Sequence, residues 1–142
     1  MLLVLDTNEY IFGFGLLRKP SAEALLNTLL ETFPQHTIRI PRMIVEEVSR
    51  HLTPEVFREF IGFVSAITTI DEDILVPFEL GAKYEVKGLK SADAFVAAYV
   101  EWTGADVLVT ENRHFLSRQA SLPFKVLTAE KCLKLIELKK QP

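Results

Sequence analysis

The chain reads as an α/β protein, a parallel sheet with helices between its strands, and three observations predict this. Short apolar runs with the character of buried strands recur at Leu2–Leu5, Thr37–Ile40, Val107–Val109 and Lys125–Leu127. Segments with helical apolar spacing lie between them, which implies crossover connections and parallel neighbours. Polar residues stand directly behind two of the runs, Asp6-Thr7-Asn8 after the first and Thr110-Glu111-Asn112 after the third. Ligands of open parallel sheets bind outside the carboxyl ends of the strands, where such residues would sit.

Each element follows from local chemistry. Leu2–Leu5 is a buried strand, and a helix is expected from Asn8 to about Leu17, weakened by Gly13 and Gly15. From this segment alone Asp6 is either a helix cap or a site residue. Pro20-Ser21 starts an amphipathic helix with Ala24, Leu25, Leu29 and Leu30 on one side, and Pro34 ends it. In the strand Thr37–Ile40, Ile38 and Ile40 alternate. Pro41 opens a helix through Ile44, Val45, Val48 and Leu52, with Glu46 and Glu47 inside it. Thr53-Pro54 joins an N-cap to a proline at the first helical position. That helix runs to about Ile67 and buries Val56, Phe57, Phe60, Phe63 and Val64.

Thr68–Ile70 is either a short strand or a connector, and Leu75–Lys87, which contains Pro77 and Gly81, shows no clear pattern. Ser91 to Trp102 is an alanine-rich helix suited to close packing on a sheet, stopped by Gly104. Val107–Val109 is continuously apolar, as a central parallel strand requires. After Lys125–Leu127, Thr128 caps a closing helix with Leu133, Ile136 and Leu138 inward.

Composition bounds the class. One hundred and forty-two residues make one domain, 1–142, and 49% hydrophobic with 25% charged residues is globular rather than disordered. No apolar run is long enough to span a bilayer, and the start lacks the basic n-region of a secretory signal. Cys132 is the lone cysteine, so neither an internal disulfide nor a cysteine metal cluster can form, which fits a reducing cytoplasm. A net charge of −3 opposes a general electrostatic grip on nucleic acid. Two local basic groups remain, Lys83, Lys87 and Lys90, and Arg113, His114 and Arg118; the plain alternative is a solvated face.

The acids carry the chemistry. Asp6 and the Thr110–Asn112 turn share one sheet edge, and one of Glu46 and Glu47 follows the second strand. Asp93, at the start of its helix, reaches that edge if the helix N-terminus projects there. Gathered carboxylates repel one another unless a cation is present, and oxygen-only ligands suit Mg²⁺ or Mn²⁺. Such ions support phosphodiester hydrolysis without a protein nucleophile. Each member also has a structural explanation: Asp93 as a cap, Asn112 as a turn residue, His114 as a surface histidine. Adjacent helical side chains point about 100° apart, so one of the two glutamates is solvated.

In combination, the LDTN start, IPRMIVEEV, KSADAFVAAYVEWTGADVLVTEN and the trailing RHF resemble the PIN-domain ribonucleases, which include the VapC-type toxins. The resemblance runs from Leu2 to Phe115. It implies a PIN-like three-layer α/β/α domain with an acidic pocket that binds Mg²⁺ or Mn²⁺ and cleaves RNA. Asp6, Glu47 and Asp93 would be the metal ligands and, with Asn112, the catalytic set; Glu46 is the alternative to Glu47. Thr7, Asn8, Thr110 and Glu111 would give polar support. Asn112 departs from the aspartate that many members carry there, so either Glu111 completes the site or it runs on three acids.

Beside such a pocket Arg113, His114 and Lys90 would form a rim for RNA phosphates. The resemblance also implies a small antitoxin partner and a homodimer, for which Phe12, Phe14, Leu16 and Leu17 are apolar candidates. Two other readings stand beside it: a catalytically inactive PIN-like module that binds RNA or protein, and a phosphohydrolase with Asp6 as nucleophile.

Overall fold

The computed structural model describes residues 1–140. Five strands are joined by helices: β1 (Leu2–Leu5), α1 (Thr7–Phe14), α2 (Pro20–Thr32), β2 (Thr37–Pro41), α3 (Arg42–Ser49), α4 (Pro54–Ile67) and β3 (Thr68–Asp71). There follow a 3₁₀ turn at Asp73–Leu75, α5 (Phe78–Val86), α6 (Ser91–Thr103), β4 (Val107–Val109), α7 (Arg113–Leu116), a second 3₁₀ turn at Gln119–Ser121, β5 (Lys125–Leu127) and α8 (Ala129–Lys140).

All strand pairs are parallel, in the order β3-β2-β1-β4-β5. The chain steps outward from β1 to β3, then crosses back to β4 on the other side of β1. With right-handed crossovers this reversal sends the helices to opposite faces and opens a crevice at the carboxyl ends of β1 and β4. On one side α2 packs against both α1 and α8; α5 packs against α6. Leu3, Val4, Leu5, Leu108 and Val109 are fully buried between the layers. Tyr10, Phe14, Phe57, Phe60 and Phe63 tie α1 to α4 through edge-to-face and tilted ring contacts. Ala94, Ala97 and Ala98 are fully buried in α6, as close helix–sheet packing requires.

Several boundaries differ from the sequence reading. The first helix ends at Phe14, where the Gly15 N–H closes the last turn on the Ile11 carbonyl, so Leu16 and Leu17 are loop residues. Gly13 serves packing: a Cβ there would collide with Leu26 of α2. Pro41 ends β2 and caps α3, and Leu52 lies in a turn beyond α3. Thr68 begins a true strand, paired with Ile38. The patternless stretch resolves into α5, with Gly81 inside it facing open space. Leu138 is 64% exposed rather than inward. Ala129, Cys132 and Ile136 define the buried stripe of α8, and Leu138 lies about 200° around the helix from Ile136.

Candidate active site

The end of β1 delivers Asp6 into the crevice. Its N–H still bonds the Val109 carbonyl of β4, at 2.9 Å, while the chain turns into α1. The Asp6 carboxylate then performs two tasks. Oδ1 accepts the Thr7 N–H at 2.9 Å, and Oδ2 accepts the Thr110 hydroxyl at 2.8 Å. Capping and site placement therefore coexist in one side chain.

Glu47 reaches the same place from α3, where its Oε2 accepts the Thr7 hydroxyl at 2.7 Å. Glu46 is exposed on the other side of that helix. Its backbone carbonyl accepts the Ser49 hydroxyl. Asp93 projects from the first turn of α6, and its Oδ1 lies 3.4 Å from Asn112 Nδ2. Asn112 N–H donates to the Thr110 hydroxyl oxygen at 3.0 Å. One network thus runs from Glu47 through Thr7, Asp6, Thr110 and Asn112 to Asp93.

The electrostatics are strained in one direction. Burial raises the Asp6 pKa, and the Asp93 and Glu47 carboxylates add to the rise; the bonds from Thr110 and Thr7 only partly offset it. No lysine or arginine forms an ion pair with Asp6, Glu47 or Asp93 among the described residues. Such a set of oxygen donors fits a hard divalent cation. Among the described residues no three acidic, imidazole or thiol groups converge as a metal-binding cluster. One or two direct carboxylate bonds, with water filling the rest, is the manner in which Mg²⁺ is commonly held.

The remaining expected residues divide. Thr7 and Thr110 are in the network, but Asn8 is exposed and makes no bond to Asp6. Glu111 turns away from the pocket and accepts the Ala129 N–H at the start of α8, at 3.1 Å. Arg113, His114 and Lys90 are exposed on the turns carrying Asn112 and Asp93. Lys83 is committed to Glu101 at 2.8 Å. Of the apolar candidates, Leu16 and Leu17 are exposed, whereas Phe14 packs on Phe60 and Phe63, and Phe12 lies under the Lys19 ammonium.

One residue escaped the sequence reading altogether. Glu9 is 1% exposed, and neither of its carboxyl oxygens meets a donor. Burial, and next the facing Glu111 carboxyl, push its pKa far above the usual range. A proton kept by Glu9 reconciles two abutting acceptors. In sequence, an acid in the first turn of a helix reads as an ordinary surface complement to the helix dipole. Only its burial marks it out.

Comparison with known proteins tests the architecture. No protein-family model and no curated protein matches the chain. Among solved structures it resembles a chain of VapBC2 from Rickettsia felis bound to a DNA fragment from their promoter. The two are 22% identical with a TM-score of 0.62, covering 90% of this chain and 98% of that one. A chain of FitAcB from Neisseria gonorrhoeae is similar at 17% identity and a TM-score of 0.55, covering 89% of this chain and 97% of that one. Their match to a five-stranded parallel sheet between helices makes the fold of this chain a PIN-like α/β/α fold.

Proposed function

We infer that this chain is a metal-dependent endoribonuclease. The observation that carries the reading is the hydrogen-bond network that links three carboxylates, Asp6, Glu47 and Asp93, through Thr7, Thr110 and Asn112 with no cationic side chain in it. A bound Mg²⁺ or Mn²⁺ would supply charge neutralisation, an activated water and stabilisation of the leaving oxygen. Asp6, Glu47 and Asp93 would hold that ion, one or two of them directly and the rest through water. Thr7 and Thr110 orient the first two acids through hydroxyl bonds of 2.7 and 2.8 Å. Arg113, His114 and Lys90, exposed beside the pocket, would bind the flanking phosphates of an RNA strand.

The segment resemblance to VapC-type toxins, together with the shared fold, supports a toxin held in check by a small antitoxin. A homodimer belongs to the same proposal, with Leu16 and Leu17 as exposed apolar contact residues. No helix among the described residues is long and apolar enough to cross a membrane. The test is cleavage of RNA by the purified chain in Mn²⁺, with Asp6→Asn and Asp93→Asn as controls. Cleavage that survives in both variants refutes the assignment. One observation favours a second reading, a non-catalytic RNA- or protein-binding module: a neutral amide, Asn112, faces Asp93. Failure of the wild-type chain to bind Mn²⁺ saturably would select it.

A further inference from the structure

We propose that the Arg118 guanidinium holds a backbone phosphate of the RNA strand, a role that rests on the RNA-cleaving function inferred above. Three arginines, Arg39, Arg42 and Arg118, are half-buried. Two of them have their counter-charge inside the fold: Arg39 pairs with Asp71 and Arg42 with Glu72, each at 2.8 Å. Arg118 forms no ion pair among the described residues. Its Nε is enclosed and meets no acceptor, while its terminal nitrogens are not enclosed.

The backbone fixes where this side chain starts. The Arg118 N–H donates to the carbonyl of the buried Phe115 at 3.0 Å. Its own carbonyl accepts the Ser121 N–H at 3.0 Å and the Ser121 hydroxyl at 2.9 Å. The preceding helix α7 is capped at the crevice by Asn112, whose Oδ1 accepts the His114 N–H at 2.9 Å. From the end of α7 the guanidinium reaches the turn between α5 and α6. A Cβ added to Gly88 in that turn would stand 3.6 Å from Arg118 Nη2. Gly88 has φ +101°, which favours glycine, and its missing side chain leaves the face of that nitrogen open. Two residues further on, Lys90 leads into α6, whose first turn carries Asp93.

An enclosed, unpaired Nε means that the guanidinium has lost part of its hydration on folding, before any ligand arrives. An anion at the terminal nitrogens then meets donors that are already partly desolvated and ordered. Their planar fork matches two oxygens of one phosphate. Lys87, Lys90, Arg113 and His114 are exposed on the same two segments, and Glu85 beside them accepts the Ser91 hydroxyl at 3.1 Å. In a chain of net charge −3, this local row of cations suits an anion that repeats along a strand.

The test is binding of a fluorescein-labelled single-stranded RNA oligonucleotide to the full chain in EDTA, read by fluorescence anisotropy across a salt series. Arg118→Gln is expected to weaken binding about tenfold and to reduce the slope of log Kd against log salt by about 0.7, one phosphate contact. Arg118→Met, which keeps an apolar stem, should lose as much, and Arg118→Lys should keep the slope while regaining only part of the affinity. Arg58→Gln removes an exposed arginine of α4 and should change affinity by less than about twofold. Thermal melting in the same buffer identifies the folded variants.

A folded Arg118→Gln or Arg118→Met that binds RNA no worse than Arg58→Gln would overturn the proposal and leave the RNA reading standing. Arg118-dependent binding of a labelled oligoglutamate peptide, with RNA binding indifferent to Arg118, would overturn it in favour of an acidic protein segment. No RNA binding by the wild-type chain would overturn this proposal and the RNA reading together.

Discussion

Asp6 and Asp71 occupy equivalent places, each at the carboxyl end of a parallel strand of one sheet, yet their surroundings are opposite. Asp71 takes a two-pronged guanidinium bond from Arg39, at 3.0 and 2.8 Å, and a Tyr99 hydroxyl at 2.6 Å. Arg39 in turn lies over the Trp102 ring. Burial would raise the Asp71 pKa, but the bonds from Arg39 and Tyr99 outweigh it and hold the carboxyl below its usual range. Asp6 meets only a hydroxyl and an amide, with further acids around it, and its pKa rises. A strand end alone does not make a site. A buried carboxylate whose cation is built into the fold is architecture, and one left without a cation is a candidate for chemistry.

The largest effect should separate the two by activity. Asp6→Asn is expected to lower Mn²⁺-dependent RNA cleavage by about 10³-fold, roughly 4 kcal/mol of transition-state stabilisation. Asp71→Asn should leave the cleavage rate of the folded protein within about twofold. Equal loss in both variants, measured in single-turnover assays, would erase the distinction. Stability should invert it. Asp71→Ala leaves Arg39 beside an emptied partner site and should cost about 3 kcal/mol in urea unfolding. Asp6→Ala removes a repelling charge and should cost less than about 1 kcal/mol.

The pH dependence has two signs. Asp71, whose folded pKa lies below the ordinary aspartate value of 3.8, stabilises above that value, and its contribution is lost as pH falls through its folded value. Glu9 is the reverse case. Its pKa rises from 4.5 to about 9, so its protonated form stabilises fully below pH 4.5 and the contribution is lost as pH climbs toward 9. Glu9→Gln keeps a neutral donor and should flatten the decline in urea midpoint between pH 5 and 9. An unchanged slope would show that Glu9 does not hold the proton. The smallest effect belongs to neighbours on α3. Glu46→Ala should leave cleavage within about twofold, and Glu47→Ala should lower it at least about tenfold.

Much of this was legible in the residues. Four of the five strands announce themselves by apolar runs, and α4 by Thr53-Pro54, because caps and periodicity are local properties, while Thr68–Asp71 became a strand only by pairing with β2. Asp6 and Thr110 could be placed on one edge from topology alone, whereas Asp93 depended on where the N-terminus of its helix projects. Periodicity alone did not separate Glu46 from Glu47, and the choice of Glu47 rested on the resemblance, since the direction α3 faces depends on what it packs against: Ile44, Val45 and Val48 turn inward and carry Glu47 toward Thr7. Leu138 was misplaced for a related reason. Its spacing allowed an inward position, but α8 buries the stripe of Ala129, Cys132 and Ile136.

The amino-acid sequence by itself determined the α/β class, the order of four of the five strands and the acids available to the sheet edge, because these depend on short-range pattern and chain connectivity. Tertiary structure alone decided which way each polar group points. Asn112 could have offered an oxygen or an amide, and Glu111 could have faced the pocket or α8. Those choices depend on whether a partner such as the His114 N–H or the Ala129 N–H lies within about 3 Å, the range of a hydrogen bond. Glu9 marks the boundary between the two. Its identity is local, but its burial, and hence its proton, exists only once α1 is packed into the fold.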